Sequence, residues 1–407
     1  MILERLAFNS LAFDAGLPAS WRLCSLESLS CQIKAGGTPR RSISRYWDGK
    51  VPFAKIEDVT RCGGRLEETT ERISEEGLAN SSAWIVPTDS VVLTMYGTIG
   101  VPALVTTPLA TNQAIIAIVP DAIVEAEYLM FALLKWGPGM ERLNIQSTQK
   151  NVNAGIVKAF KVPLPPLVEQ RAIAHVLRTV QRAKEQTEQV LDSSQALKRS
   201  IAQHLFQNGV VRPDMEDHAS PDGDSDPFPV HWSDVSLAEF VSFQRGFDIT
   251  KKEQQPGPYP VISSSGKKSM HSQYRAEGPG VLIGRKGSVG RVHFVRGNYW
   301  PHDTTLWVRD FRGNDPEFVY RLFERFDFSP YITGVANPSL NRNHIAHIAL
   351  HVPGQREQRE IARMLATVDR KIAAEEQRRD ALDQLFNSLL HELMTGRLRV
   401  DDWPEVA

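Results

Sequence analysis

The sequence predicts an α+β protein: two β-rich mixed domains, each followed by a long α-helix, with the two helices pairing as a coiled coil. Three observations predict it. Glu169-Gln170-Arg171-Ala172-Ile173-Ala174 returns 188 positions later as Glu357-Gln358-Arg359-Glu360-Ile361-Ala362, and a duplicated unit implies two equivalent surfaces. Ahead of each copy lie short apolar or β-branched runs bounded by Gly, Pro, Asn and Asp, which is how strands read. After each copy, apolar residues recur at three- and four-residue spacing, which is how a paired helix reads.

The first domain is expected over residues 1–165. Its landmarks are Pro18-Ala19-Ser20-Trp21, then Val92-Leu93-Thr94-Met95-Tyr96-Gly97-Thr98-Ile99-Gly100, Glu127-Tyr128-Leu129 and Asn151-Val152-Asn153. Strands are expected at Trp84–Pro87, Ser90–Met95 and Ala114–Val119, and a helix near Glu127–Lys135. A first spacer helix over 166–208 follows Pro165 and Pro166 and stops before Gly209, with a seam of Ile173, Val176, Val180, Ala183, Thr187, Val190, Ser194, Leu197 and Ile201. Residues 209–230 read as a solvated linker, because acids, Pro and Gly crowd around Asp222-Gly223-Asp224-Ser225-Asp226-Pro227.

The second domain is expected over 231–353 and repeats the landmarks in the same order. They are Pro229-Val230-His231-Trp232, Leu282-Ile283-Gly284-Arg285-Lys286-Gly287-Ser288-Val289-Gly290, Glu317-Phe318-Val319 and Asn341-Arg342-Asn343. Strands are expected at Gly280–Ile283 and Thr305–Val308, and a helix at Pro316–Arg325. The second spacer helix, 354–396, carries Ile361, Met364, Val368, Leu382, Leu385 and Leu389, with Leu365, Ile372, Phe386 and Leu393 beside them; residues 397–407 form a tail. Each helix should span roughly 60 Å at 1.5 Å per residue. Paired in parallel, the helices would put both domains at one end. Paired antiparallel, they would hold the domains apart and act as a ruler, and this is the arrangement expected here. Two helices of a larger bundle would give the same periodicity.

Composition narrows the function. The 407 residues are 42% hydrophobic, enough for ordinary cores, and Cys24, Cys31 and Cys62 have neither metal-ligand spacing nor the makings of a disulfide framework. No run approaches the roughly 18 apolar residues of a membrane span, and Met1-Ile2-Leu3-Glu4-Arg5 lacks the regions of a signal peptide. A cytoplasmic protein without membrane contact is the expectation. The net charge of −1 is not that of a bulk polycation, yet Lys267, Lys268, Arg275, Arg285, Lys286, Arg291 and Arg296 fall together against one acid, Glu277. A thinner basic stretch, Lys34, Arg40, Arg41, Arg45, Lys50 and Lys55, lies in the first half. Such stretches neutralise phosphates locally, or are simply solvated surface.

Catalytic motifs fail on spacing. Ser265-Gly266-Lys267-Lys268 lacks the upstream Gly of a phosphate-binding loop and the Ser or Thr directly after its Lys. Asn337-Pro338-Ser339-Leu340 lacks the second Pro and the aromatic of the adenine-methyltransferase element. His344, His347 and His351 have no neighbouring acid or cysteine to complete a metal site and are expected on a helix face or strand edge. No catalytic, cofactor or metal residue is therefore assigned.

The repeated order of a Pro-x-x-Trp entry, a Gly-Thr-Ile-Gly or Gly-Ser-Val-Gly turn after an apolar strand, an Asn-x-Asn element, and Val-Pro leading to Glu-Gln-Arg-x-Ile-Ala and a long helix resembles the specificity subunit of type I restriction-modification systems over nearly the whole chain. The resemblance implies that each globular part is a target recognition domain reading one half of a split double-stranded DNA sequence. It also implies that the antiparallel helices space the domains and dock two modification subunits, with restriction and translocase subunits completing the complex. S-adenosylmethionine, ATP and Mg would then belong to those partners, and this chain would not itself be an enzyme. On that reading, candidate DNA contacts are Arg40, Lys55, Tyr96, Thr98, Asn112, Gln113 and Asn151 in the first domain, and Arg245, Lys267, Arg285, Lys286, Ser288, Asp303 and Asn341 in the second. A free-standing bipartite DNA binder and a coiled-coil adaptor that binds only proteins are the alternatives.

Overall fold

Two residues of the repeated hexapeptide explain why each long helix starts where it does. Gln170 Oε1 accepts the backbone N–H of Glu125 at 2.9 Å while its amide donates to the carbonyls of Pro165 (2.9 Å) and Ile123 (3.2 Å). Gln358 does the same in the second copy, accepting from Asp315 N (2.9 Å) and donating to Pro353 O (2.9 Å) and Asn314 Oδ1 (2.8 Å). Both glutamines are buried, and these bonds tie the first helical turn to the loop that opens the domain's own helix. The computed structural model describes residues 16–143, 151–210, 229 and 231–400. The centre of the expected linker, the segment Met1–Arg5 and the last seven residues of the tail lie outside them.

The chain divides into two compact units. One takes the chain up to Glu188 and again from Gln377; the other is Gln189–Glu376. In the first unit a five-stranded sheet runs in the order Ser30–Ala35, Ile115–Pro120, Val91–Thr94, Pro102–Val105, Arg65–Leu66, antiparallel except for its last pair. A smaller sheet orders Glu71–Ile73, Trp47–Ala54 and Ala110–Thr111. In the second unit the main sheet is Ser242–Arg245, Thr305–Asp310, Gly280–Gly284, Val292–Val295, and the smaller one is Gly266–His271, Tyr259–Ser263, Trp300–Pro301. Strands that match in the repeat hold the same place in both orders, and the last pair of each smaller sheet is parallel. The fold is thus α+β, built twice.

Each Pro-x-x-Trp closes the same turn, with Trp21 N donating to Pro18 O and Trp232 N to Pro229 O, both at 2.9 Å. Each domain's first strand then pairs antiparallel with its last, Arg22–Ser25 with Lys161–Leu164 and Ser233–Ser236 with Ala349–Val352. The expected strand at Trp84–Pro87 reduces to a single bridge between Val86 and Leu109, because Pro87 has no N–H to extend a ladder. The expected short helices are present as Ala126–Trp136 and Pro316–Arg325; the second is capped by Asp315, whose Oδ1 accepts from Glu317 N and Phe318 N, with Pro at the first turn.

The long helices are Leu167–Asn208 and Gln355–Met394. Gly209 and Gly396 follow them at φ +69° and +68°, the left-handed exit that a side chain with Cβ resists. In the first unit Glu169 pairs with Arg399 (2.6 Å) and Lys184 with Asp383 (2.5 Å), so partners descend as the first helix ascends. In the second unit Lys198 pairs with Asp369 (2.7 Å) and Val210 N donates to Glu357 Oε1 (2.8 Å), again descending. The pairing is antiparallel in each unit.

Ile173, Leu177, Phe386, Leu390, Leu393 and Met394 join the first unit's core, with Val176, Val180 and Leu389 packed at its margin. Ala202, Leu205, Phe206, Ile361 and Leu365 join the second unit's core, with Ile201 at the margin. Apart from Ala202, each such buried side chain contributes about 1.5–3 kcal/mol. Val368 and Leu382 are half-buried, whereas Val190, Leu197, Met364 and Leu385 are exposed and Leu191, Leu365 and Phe386 take the buried places beside three of them. A straight helix drifts against a strict seven-residue repeat, and each half-helix also packs on a domain, so the buried stripe is wider than the seam and rotated from it. Of the tail, Arg399 and Val400 are built into the first unit.

Candidate nucleic-acid interface

In both domains one glycine brings two loops together. An added Cβ on Gly36 would lie 2.1 Å from Thr111 O, and one on Gly246 would lie 2.1 Å from His302 O, so no other residue fits without moving backbone. The close approach is held by Gly36 N to Ile115 O (3.0 Å) and Gly37 N to Thr111 O (2.9 Å), and by Gly246 N to Thr305 O (3.0 Å) and Phe247 N to Pro301 O (2.8 Å). Around each crossing gather polar side chains on loops, which is where recognition residues sit on a rigid sheet.

The first domain's cluster is uncharged at its centre. Thr38 Oγ1 is hydrogen-bonded to Gln113 Oε1. Asn112 Oδ1 accepts from Ala114 N (3.1 Å) and Asn112 N donates to Ala54 O (3.1 Å). Tyr96 is 44% exposed and bridges to Asn151, and Val152 N donates to Met95 O at 2.9 Å, fixing the turn at Tyr96-Gly97-Thr98. Thr98 is exposed. Lys55 lies beside the cluster, but its ammonium is committed to Glu71 at 2.7 Å, and this hydrogen bond pushes its pKa up. Arg40 is exposed, while its neighbour Arg41 stacks 3.7 Å above the Trp47 ring and pairs with Glu71.

The second domain's cluster is ionic. Arg245 Nη2 meets Asp303 Oδ2 at 3.1 Å, and Arg285 Nη1 donates to the Asp303 carbonyl at 3.4 Å. His302 Nδ1 lies 3.0 Å from Thr304 Oγ1, and Lys268 Nζ lies 3.3 Å from His302 Nε2. Burial first, and then Lys268, holds the His302 imidazole below its usual range; burial and the neighbouring Arg245 lower Arg285 likewise. Arg245, Asp248, Arg285, Asn341 and Arg342 line one cleft of about 650 Å³. Lys286 bridges to Ser339 beside it, and Ser288 is exposed on the following turn.

Some expected contacts fall elsewhere. Lys267 lines a different cleft with Arg291 and His293. The Asn341 side chain caps the short helix Arg342–Ile345 by accepting from Asn343 N at 3.0 Å, as Asn153 caps Ala154–Ala159. His344 sits in that helix and His351 on a strand beside Asp234, so the three histidines share no face. Thr38 and Asp248 join the clusters although neither was expected there. The signal for them was the shared glycine, Gly36 and Gly246, two residues upstream of each.

Asp248, His302 and Asp303 also place potential ligand atoms within 4.8 Å of one another. Arg245 on Asp303 and Lys268 on His302 already supply positive charge there, so the donor set fits a hydrogen-bonded network better than a metal cage. Among the described residues no helix is long and apolar enough to cross a membrane.

Comparison with known proteins yields one consistent result. A family model for the type I restriction modification DNA specificity domain matches residues 19–193 and 229–384. The chain is similar to the MjaIX type I restriction enzyme specificity subunit of Methanocaldococcus jannaschii, 25% identical over 58% of this chain and 55% of that one, so the match spans about half of that relative. It is also similar to the EcoprrI specificity subunit of Escherichia coli, 21% identical over 83% of this chain and 85% of that one. Among solved structures, the type I restriction-modification S subunit of M. genitalium superposes with a TM-score of 0.62 over 93% of this chain and 96% of that one, at 16% identity; at that identity the likeness concerns the fold.

Proposed function

Since this chain belongs to the type I restriction modification DNA specificity family, we propose that it is the specificity subunit of a type I restriction-modification complex and reads a bipartite double-stranded DNA target. Its role is recognition, and catalysis belongs to its partners. The observation that carries the reading is the duplication of a whole recognition unit with different chemistry in each copy. The same sheet order and the same glycine crossing present Thr38, Asn112 and Gln113 in one domain and Arg245, Arg285 and Asp303 in the other. Equivalent placement with unlike side chains suits two different half-sites. Recognition domains are taken as residues 1–165 and 231–353, and spacer helices as 166–208 and 354–396.

On this reading the exposed faces of the helices receive two modification subunits, and restriction subunits join the assembly. S-adenosylmethionine, ATP and Mg are held by those partners, and the complex works in the cytoplasm. The candidate contacts to DNA are the clustered residues above, with Arg40 and Lys267 as flanking phosphate contacts, while Lys55 is held by Glu71. Methylation mapping in cells carrying this chain with its neighbouring modification subunit, against cells lacking the chain, tests the proposal. A split methylated motif that vanishes on deletion is the expected outcome; an unchanged methylome with both subunits expressed would overturn it.

A further inference from the structure

The cleft of the second domain has a chemistry that selects among base pairs. Arg285 emerges from the end of the strand Gly280–Gly284, its backbone fixed by Arg285 N to Thr304 O (2.8 Å) and by Leu340 N to Arg285 O (3.0 Å). Among the described residues its guanidinium makes one hydrogen bond, at 3.4 Å, to the Asp303 carbonyl, and it lines the cleft. Arg245 is held by the Asp303 carboxylate, and Asp248 brings a carboxylate to the cleft that Arg245 and Arg285 line. Guanidinium donors and a free carboxylate acceptor thus stand side by side.

Two ligands compete for such a cleft. A phosphate would satisfy Arg285, but Asp248 and Asp303 repel it. A G·C pair satisfies both signs: guanine offers two acceptors, O6 and N7, to the forked guanidinium, and cytosine offers its N4 amino group to a carboxylate. The matching loop of the first domain, with Thr38 on Gln113 and Asn112 folded onto Ala114, has no guanidinium or carboxylate at its centre, so the ionic pair is a property of one domain and not of the shared scaffold.

We infer that the half-site read by the second domain contains a G·C pair contacted by Arg285 at guanine and Asp248 at cytosine, with Arg245 and Asp303 positioning the pair of readers. This rests on the DNA-reading function proposed above. The test maps methylated motifs in cells expressing the modification subunit with the unsubstituted chain, Arg285→Ala, Arg285→Lys or Asp248→Asn. The expected result is a motif in which Arg285→Ala lowers discrimination at one guanine position by about 5- to 150-fold, the range of one bidentate base contact. Arg285→Lys should restore part of it, Asp248→Asn should relax the same base pair, and the other half-site should stay unchanged. Relaxation at an A·T position, a uniform loss over every position as a phosphate contact would give, or an unaltered motif would each overturn the inference while leaving the DNA-reading function standing. Absence of any motif with the unsubstituted chain would overturn that function, and the inference with it.

Discussion

Gln358 Oε1 accepts the backbone N–H of Asp315 at 2.9 Å, and this one contact couples the first turn of the second long helix to the cap of the helix Pro316–Arg325. Gln170 repeats it on Glu125. Replacing Gln358 with Ala strips partners from buried backbone groups, at about 1–3 kcal/mol for each group left unsatisfied. Hydrogen exchange should show lost protection in Pro316–Arg325 for Gln358→Ala and in Ala126–Trp136 for Gln170→Ala. Protection unchanged in both would show that water replaces the amide at no cost.

The helix Pro316–Arg325 is held to the long helices by charge, since the buried Arg321 contacts Asp369, which also takes Lys198 at 2.7 Å. At the matching place in the first unit Phe131 packs on Phe386, ring centroids 6.1 Å apart. Arg321 keeps Glu324 at 3.1 Å when Asp369 is removed, so what is lost is one charge-assisted hydrogen bond, and Asp369→Ala should destabilise the second unit by on the order of 2 kcal/mol. A denaturant series checks this, and a double substitution, Arg321→Met with Asp369→Ala, should recover most of the loss. No recovery would mean that packing, and not charge, is what Asp369 supplies.

The second domain should weaken in mild acid. Burial and Lys268 hold the His302 pKa below its ordinary 6.5, and burial does the same to His293, so the folded domain keeps both rings neutral while the unfolded chain binds protons. Their contribution to stability is complete above about pH 6.5 and declines as the pH falls from there through the folded values. Unfolding midpoints from pH 7.5 to 5 should show that decline, and His302→Gln should flatten it. A slope unaffected by His302→Gln would assign the acid response to His293 or other groups.

Gly246→Ala and Gly36→Ala make a matched pair, because each new methyl would strike a backbone carbonyl at 2.1 Å. Overpacking of this kind costs about 1–3 kcal/mol, and the loops it displaces carry the proposed readers. Each substitution should degrade methylation of one half-site motif only. Equal damage to both half-sites from either variant would break the assignment of one cluster to one half-site.

The ruler proposal has its own test. Inserting one helical turn into each long helix should lengthen the gap between half-sites and leave their sequences alone, since one turn adds about 5.4 Å. Motif mapping reads both quantities. An altered half-site sequence, or an unchanged gap, would refute it.

How much of this was legible beforehand depended on how far apart in sequence the interacting residues lie. The repeat showed the order of the landmarks and that a long helix follows each domain, because these are local features seen twice. The seam was legible as a periodicity but not residue by residue, since Leu365 instead of Met364 is buried where the helix leans on its domain. The recognition clusters were the least legible. Asp248 and His302 are 54 positions apart and meet only because Gly246 lets two loops touch, and Lys55, basic in sequence, turns out to be neutralised by Glu71. A sequence displays charge; it does not display which charges are already answered.

Glu169 takes the indole N–H of Trp21 at 3.0 Å on one oxygen and Arg399 at 2.6 Å on the other, and the first unit's core includes Phe386, Leu390, Leu393 and Met394. The second unit, by contrast, is one uninterrupted stretch, Gln189–Glu376. During translation the residues of the first domain therefore leave the ribosome first but must wait, with part of their core missing, for some two hundred further residues to be made. Of the two domains, the one synthesised first is the one completed last, and the nascent chain carries that open apolar surface until the residues from Gln377 onward have been made.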